Sequence, residues 1–176
     1  GDRYRLGFEG GVRLQKGTFG SSRAAYNMGP LVVSEEQGTV WIAGHAHHFS
    51  VGAFELPEPV NSMKLKDYPI AGNRQPFVRI KPPRKLAGKP DRIVGMQLID
   101  GRLFVNTAEY YDADGNNRNT TVIIEDPMNL RGSDQRGWYQ MPGRVHAAGW
   151  MTPVPDYLQQ TLGGPWITGY ASNIPV

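Results

Sequence analysis

Cysteine is absent from the 176 residues of this chain. Without thiols the protein can form neither disulfide bonds nor zinc–thiolate centres, and a cysteine nucleophile is excluded. Export is not excluded by this absence, because β-sheet proteins that bury enough apolar surface are stable without disulfides.

Long apolar runs are also missing. No segment approaches the roughly 20 apolar residues that a membrane-spanning helix requires, so we expect no membrane span. The chain starts at Gly1 without an apolar leader, which predicts a processed product or an excised region. A P-loop, a dinucleotide fingerprint, a nucleophile elbow and a zinc-protease helix are all absent, so the enzyme classes they mark have no support.

The net charge is only +3, but one stretch is strongly basic. Residues 64–92 contain nine Lys and Arg side chains against two Asp, a net charge of +7. Such a stretch can attract an acidic polysaccharide or a partner surface, although a solvated connection between strands is the preferred explanation. Few aromatic side chains interrupt it, and we therefore expect no binding to nucleic acid.

Glycine and proline are abundant. The 22 Gly and 14 Pro make up 36 of the 176 residues, well above the usual combined share of roughly 12%. Because they follow no collagen-like period, the excess indicates many tight turns between short strands.

A strand-like motif is repeated along the chain. The sequence Trp-Ile-Ala-Gly at 41–44 returns as Trp-Ile-Thr-Gly at 166–169, and a weaker copy surrounds Phe104. Phe104 lies 63 positions after Trp41, and Trp166 lies 62 positions after Phe104. Antiparallel sheets repeated at this spacing are typical of propeller blades.

We therefore predict an all-β chain that forms a partial β-propeller of about three blades within a single domain, 1–176. The units cover about 29–92, 93–148 and 149–176, and the last is incomplete. A missing segment or another chain would complete the ring, since typical propellers have roughly four to eight blades. A β-sandwich is the alternative, because hairpins with one long connection also form that fold.

Local signals predict the individual turns and strands. The pair Asp100-Gly101 between two apolar runs predicts a tight hairpin. Third strands are expected at 51–56 and 121–125, each ended by a proline, and 77–80 is a candidate fourth strand. The segment 155–163 predicts a short helix that a glycine closes.

Each copy of the motif ends in a polar tail that differs from the other copies. The tails cover 45–48, 109–111 and 170–173. Corresponding strand ends of neighbouring blades meet at one rim of a propeller, so these tails should converge. Framework positions repeat whereas site positions need not, and the tails therefore carry the candidate site.

The histidines of the first tail are candidate metal ligands. Strand alternation predicts that His45 and His47 share the face of Trp41, with His48 on the opposite face. Two imidazoles on one face could bind a metal ion if a third ligand came from elsewhere. A hydrogen-bonded pair or a direct substrate contact is the preferred explanation, so we assign no metal and leave cofactors unassigned.

Two kinds of glycan cleavage fit these residue types. Hydrolysis needs two carboxylates that face the glycosidic bond. Elimination beside a uronate carboxylate needs a general base and a neutralising cation. The predicted catalytic residues are Glu109, His47, Tyr110 and Glu9. The predicted substrate-binding residues are His45, Arg23, Arg144, Trp150 and Tyr170.

Short motifs along most of the chain carry a family resemblance. They are Phe-Glu-Gly-Gly at 8–11, Ser-Arg at 22–23, Gly-Pro at 29–30, Gly-Trp-Met-Thr-Pro at 149–153 and Leu-Gly-Gly at 162–164. The chain resembles the front portion of uncharacterised bacterial and phage-associated proteins with predicted propeller folds, without their later blades. A broader resemblance to five-bladed carbohydrate-active propellers implies a site at the ring axis. No catalytic signature carries over residue by residue.

The leading functional prediction is a secreted or surface β-propeller portion that binds a glycan, with cleavage by hydrolysis or elimination left open. The alternative is a non-catalytic structural or attachment module of a surface or viral assembly. The expected partners are a glycan or acidic polysaccharide and a second segment or chain that covers the open sheet edge, because unpaired edges aggregate. The expected location is extracellular or at a cell or particle surface.

Overall fold

The computed structural model describes residues 6–27, 29–141 and 146–171. These residues form an all-β protein with several antiparallel sheets, so the predicted β class is confirmed. Within these ranges the sheets close into neither a barrel nor a ring, and their arrangement also fits a sandwich. No helix in the same ranges is long and apolar enough to cross a membrane.

The elements follow in this order along the chain: β1 (Arg13–Leu14), β2 (Thr18–Phe19), β3 (Ser22–Arg23), β4 (Leu31–Ser34), β5 (Thr39–Ala43), β6 (Ser50–Glu55), β7 (Ile70–Ala71), β8 (Asn73–Arg79), β9 (Arg92–Ile99), β10 (Arg102–Ala108), β11 (Asn119–Ile124), β12 (Gln135–Gln140), β13 (Met151–Pro153), α1 (Asp156–Leu162) and β14 (Trp166–Thr168). Single 3-10 turns cover Leu65–Asp67 and Pro127–Asn129.

The first sheet contains β4, β5, β6 and β8 in that order, and every neighbouring pair is antiparallel. Every residue of β5 is buried, as is all of β6 except Glu55. A strand can be buried on both faces only if something packs on each side of the sheet. The fourth strand, β8, contains most of the segment 77–80 that the sequence singled out.

The second sheet contains β9, β10, β11 and β12 in chain order, again antiparallel throughout. Arg102 pairs with Ile99, so Asp100 and Gly101 form a two-residue loop. Their φ angles of 49° and 75° are the positive values that such a loop requires. The predicted hairpin is therefore confirmed.

The two sheets pack face to face around one apolar core. Trp41, Val51 and Val105 in this core are fully buried, and residues of both sheets contribute to it. A turn of the second sheet also reaches back to the first. The carbonyl oxygen of Pro127 accepts hydrogen bonds from Trp41 Nε1 at 2.9 Å and from Gln75 Nε2 at 2.8 Å. The first of these bonds satisfies the indole N–H of Trp41 inside the core.

Different segments cover the outer faces of the two sheets. The outer face of the first sheet, with Val40, Ile42 and Phe54, packs on the N-terminal segment through Leu14 and Phe19. That segment pairs β2 with β3, and β1 with β7.

The hairpin of β13 and β14 covers the outer face of the second sheet. Buried Asn106 donates a hydrogen bond to the carbonyl oxygen of Gly149 at 2.8 Å. A side chain at Gly95 would clash with the same carbonyl, so glycine permits this close approach. The predicted helix between these strands is confirmed as α1, where Gly163 ends it with φ 78° and donates to the Gln159 carbonyl.

Candidate functional site

A cleft opens where the loop between β5 and β6 meets the ends of β9 and β10. Its volume is about 430 Å³. Six residues line it: Tyr26, Asn27, Ala46, His47, Arg92 and Tyr110. Hereafter these six residues define the Tyr26–Tyr110 cleft. It brings together the first two polar tails, as the repeat predicted for His47 and Tyr110.

The histidines that border this cleft lie in a turn and not in a strand. Strand β5 ends at Ala43, and residues 44–49 connect it to β6. Gly44 N–H donates to the Ser50 carbonyl at 2.8 Å, and His48 N–H donates to the His45 carbonyl at 2.8 Å. Strand alternation therefore stops before His45, and the prediction that His48 points away from His45 and His47 is wrong.

The N-terminal segment fixes the position of this turn. His45 N–H donates to the Arg23 carbonyl at 2.9 Å, and Ala46 N–H donates to the Tyr26 carbonyl at 2.8 Å. A side chain at Gly44 would clash with Ser22, so only glycine allows the two segments to lie so close. Contacts with the N-terminal segment therefore fix the turn, in addition to the hydrogen bonds within the β5–β6 hairpin.

Four rings form a cluster at the edge of the cleft. The rings of His45 and His48 stack with centroids 4.5 Å apart and planes 22° apart. The Tyr26 ring lies 5.1 Å from His45 and 6.3 Å from His47, centroid to centroid. Tyr26 and His47 remain exposed to solvent, and their faces are available to a ligand.

The surroundings of His45 favour its neutral form. Its Nδ1 accepts a hydrogen bond from the His47 backbone N–H at 3.2 Å, which requires an unprotonated nitrogen. Partial burial lowers the pKa of His45, and electrostatic interactions with His48, Arg23 and His47 lower it further. Geometry and electrostatics thus favour the same protonation state. Arg23, a predicted substrate contact, lies beside this cluster.

Arg92 and Tyr110 form the opposite wall. The Arg92 guanidinium lies 5.1 Å from the centroid of the Tyr110 ring, a cation–π geometry. Asp91 holds both residues, because its Oδ2 lies 3.0 Å from Arg92 Nη1 and its Oδ1 accepts the Tyr110 N–H at 2.9 Å. The Arg92 side chain is only 13% exposed, whereas Tyr110 is 71% exposed.

Glu109 points away from this cleft. It lines a separate cavity of about 520 Å³ together with Tyr111, Asp112 and residues of the basic stretch. Its Oε2 accepts the Lys89 backbone N–H at 2.7 Å, so the carboxylate fixes the local chain. Asp112 acts similarly, since its two oxygens accept the backbone N–H groups of Asn116 and Asn117.

The other predicted site residues are dispersed. Glu9 is exposed in the N-terminal segment and lines neither cavity. Trp150 is 51% exposed and lines a groove of about 360 Å³ with residues of β4 and β9. Tyr170 is 54% exposed and lies outside the Tyr26–Tyr110 cleft. Arg144, with residues 172–173 of the third tail, lies outside the described residues.

Three cleft residues were missed by sequence reasoning: Tyr26, Asn27 and Arg92. Arg92 was counted only as the last cation of the basic stretch, although its position at the start of β9 was a usable signal. Tyr26 and Asn27 have no counterpart in the repeat. In the described part of the chain, no group of three or more His, Asp or Glu side chains is arranged to hold a metal ion.

Comparison with protein-family models, curated proteins and solved structures finds no match to this chain. The geometry of the cleft is therefore the basis for assigning a function.

Proposed function

We propose that this chain is the glycan-binding portion of a β-propeller and that the Tyr26–Tyr110 cleft is its binding site. The observation that carries the proposal is the pairing of two exposed tyrosines with His47 and Arg92 around one cleft of about 430 Å³. Sites for small ligands typically measure roughly 300–1,000 Å³. A glycan presented to such a protein would be met outside the cell or at a surface.

The lining suits a sugar. One face of a pyranose ring presents C–H bonds with partial positive charge, which are attracted to the negative face of an aromatic ring. Tyr26 and Tyr110 offer such faces, being 72% and 71% exposed. Asn27 and His47 add hydrogen-bonding groups for sugar hydroxyls at the same cleft.

The propeller part of the proposal rests on how the units stack. The first strands of the three units, β4, β9 and β13, lie side by side, and a groove runs along them. The second sheet packs between the first sheet and the third hairpin. Units that stack in series with their first strands adjacent are expected in a propeller, whereas a sandwich has two layers. Another segment or chain would complete the ring.

Binding should fail when the aromatic wall is removed. We expect Tyr110→Ala to weaken glycan binding by about tenfold through loss of stacking. Tyr157→Ala is the matched control, because Tyr157 is 81% exposed on α1 and lies outside the cleft. Calorimetric titration with a panel of oligosaccharides measures both. Equal losses in the two variants, or a panel without any ligand, would overturn the proposal.

Cleavage by elimination is the second candidate function. Hydrolysis requires two carboxylates at the scissile bond, and neither Glu109 nor Glu9 lines the cleft. Elimination requires a base and a cation, and His47, Tyr110 and Arg92 all line it. In that reaction His47 or Tyr110, as the base, removes the C5 proton, a C4–C5 double bond forms, and the C4–O bond breaks. The other of these two residues donates a proton to the leaving oxygen, which departs as a neutral hydroxyl group.

The two candidates differ in a direct assay. Elimination produces an unsaturated sugar that absorbs ultraviolet light, whereas simple binding leaves the glycan intact. If the chain is a lyase, His47→Ala or Tyr110→Phe should abolish the absorbance increase and leave the fold unchanged by circular dichroism. A wild-type protein that binds glycans without any such increase is a binding module.

A further inference from the structure

We infer that the Tyr26–Tyr110 cleft selects glycans that carry a carboxylate group, and that Arg92 makes the selection. The inference rests on the proposed glycan-binding function and names the ligand class of the same site. It holds whether or not the bound glycan is cleaved.

The guanidinium of Arg92 has one side occupied and one side available. Nη1 bonds to Asp91 twice, to the side-chain Oδ2 at 3.0 Å and to the main-chain oxygen at 3.1 Å. Among the described residues, Nε and Nη2 have no hydrogen-bond partner, and neither is a fully buried unsatisfied atom. A guanidinium presents five N–H groups in a planar fork, and the edge formed by Nε and Nη2 matches a carboxylate in two parallel bonds.

The guanidinium is also fixed before a ligand arrives. Asp91 holds it from one side, and the Tyr110 ring lies 5.1 Å away. Asp91 is itself held, because its backbone N–H donates to the Ala108 carbonyl at 3.0 Å and its Oδ1 accepts from Tyr110 N–H. A side chain that is already ordered loses little entropy on binding, which favours affinity.

The charges around the cleft favour an anion. Asp91 contributes one negative charge, but both of its oxygens are engaged by Arg92 and Tyr110. Arg92 faces the cleft, and Arg23 lies near His45 at its border and contributes to lowering the pKa of that histidine. A neutral sugar would leave the fork of Arg92 without a matching acceptor.

A matched pair of ligands isolates the carboxylate. We would titrate the wild-type chain with tri-galacturonic acid and with its fully methyl-esterified form, which keeps the rings and hydroxyl groups but has no charge. We expect the acid to bind at least about tenfold more tightly, since hydrogen bonds between charged groups are the strong ones. Arg92→Gln should bring the acid-to-ester ratio close to one, because the amide has neither the charge nor the guanidinium fork.

Two further variants complete the design. Arg102→Gln is the control, because Arg102 also lies over an aromatic ring, 5.6 Å from the Phe104 centroid, and is outside the cleft. It should keep the wild-type ratio. Arg92→Lys keeps the charge but loses the fork, so its ratio should fall between those of wild type and Arg92→Gln. It also tests the inference if Arg92→Gln does not fold.

The possible outcomes distinguish glycan binding, the selection of a carboxylate and the role of Arg92. If neither the acid, the ester nor any other glycan binds, the proposed function is wrong. If wild type binds acid and ester equally, the function stands and the carboxylate selection is wrong. If Arg92→Gln, or Arg92→Lys in its place, keeps the wild-type ratio, another cation contacts the ligand and the role of Arg92 is wrong.

Discussion

The first and second sheets share a framework and differ at their loops. Both have four antiparallel strands that begin with a hairpin. The loop after the second strand has six residues in the first sheet, 44–49, and ten in the second, 109–118. The first is a tight turn with three histidines, whereas Glu109 and Asp112 brace the second. The comparison indicates that burial sets the repeated framework and that the loops are free to carry different chemistry.

The two sheets also differ in how completely they are covered. Both faces of the first sheet lie against extensive packing, so Trp41 is fully buried. The outer face of the second sheet meets only a short hairpin, and Phe104 is partly exposed. The corresponding Trp166 is 37% exposed. Burial at the repeated aromatic position therefore decreases along the chain.

The largest effect should come from truncating that position. Trp41→Ala removes a fully buried indole that also bonds to Pro127, and we expect a loss of about 3–5 kcal/mol in the free energy of unfolding. Phe104→Ala should cost roughly half as much because its site is partly solvated. Urea denaturation measures both. Equal losses of stability in the two variants would contradict the conclusion that the second sheet is less completely covered than the first.

A buried amide links the second sheet to the third hairpin. Asn106 donates to Gly149 and accepts from Thr121 Oγ1 at 2.7 Å. Asn106→Ala leaves both groups without their partner, and we expect a loss of about 2 kcal/mol. Asn119→Ala, at an exposed position of β11, serves as the control in the same denaturation experiment. A cost no larger than that of the control would show that this amide does not support the contact.

The hairpin turns should respond alike in the two sheets. Gly38 and Gly101 have φ angles of 55° and 75°, and no atom lies within 4 Å of an added Cβ. Alanine at either position would have to adopt a positive φ angle but would not clash with any neighbour. We expect each substitution to lower the free energy of unfolding by about 1 kcal/mol. Thermal unfolding of the two variants checks this. A clear difference between them would argue against a repeated framework.

The smallest effect should be a pH dependence confined to the first loop. The folded state lowers the pKa of His45, and the unfolded chain restores the ordinary value of about 6.5. As the pH falls through this value, the unfolded state takes up a proton that the folded state does not. The free energy of unfolding therefore decreases on acidification until the pH passes the folded pKa, and it is unaffected by His45 at higher pH.

His45→Asn tests this dependence, because the amide oxygen can replace Nδ1 as acceptor for the His47 N–H without titrating. Urea midpoints measured across the acidic range should decrease less steeply in the variant than in wild type. If the urea midpoints of wild type and variant depend on pH with the same slope, His45 does not contribute to the pH dependence of stability. The second loop, 109–118, contains no histidine and therefore makes no equivalent contribution to the pH dependence of stability.

The framework could be predicted from sequence because its signals are local. The Asp100-Gly101 turn, the helix closed by Gly163 and the third strand of each sheet depend on residues close together in the chain. The site could be predicted only in part. His47 and Tyr110 do meet, but the turn at 44–49 depends on the fit of Gly44 against Ser22, which strand alternation cannot reveal.

Long-range packing also explains the residues that were missed or misplaced. Tyr26 reaches the cleft because its carbonyl pairs with Ala46, a contact between distant segments. Glu109 and Tyr110 are adjacent in sequence, yet they line different cavities because strand β10 ends at Ala108 and the chain turns at Tyr110. The family resemblance and the unit boundaries stay predictions.

An NMR titration with an oligosaccharide is the decisive test of the Tyr26–Tyr110 cleft as the binding site, because it reports where on the surface the ligand lies. We expect four signals to shift together and to saturate at one ligand per chain, namely those of Tyr26, His47, Arg92 and Tyr110, whereas the signal of Tyr157 should not shift. Shifts centred on the cavity around Glu109, or on the groove at Trp150, would contradict it.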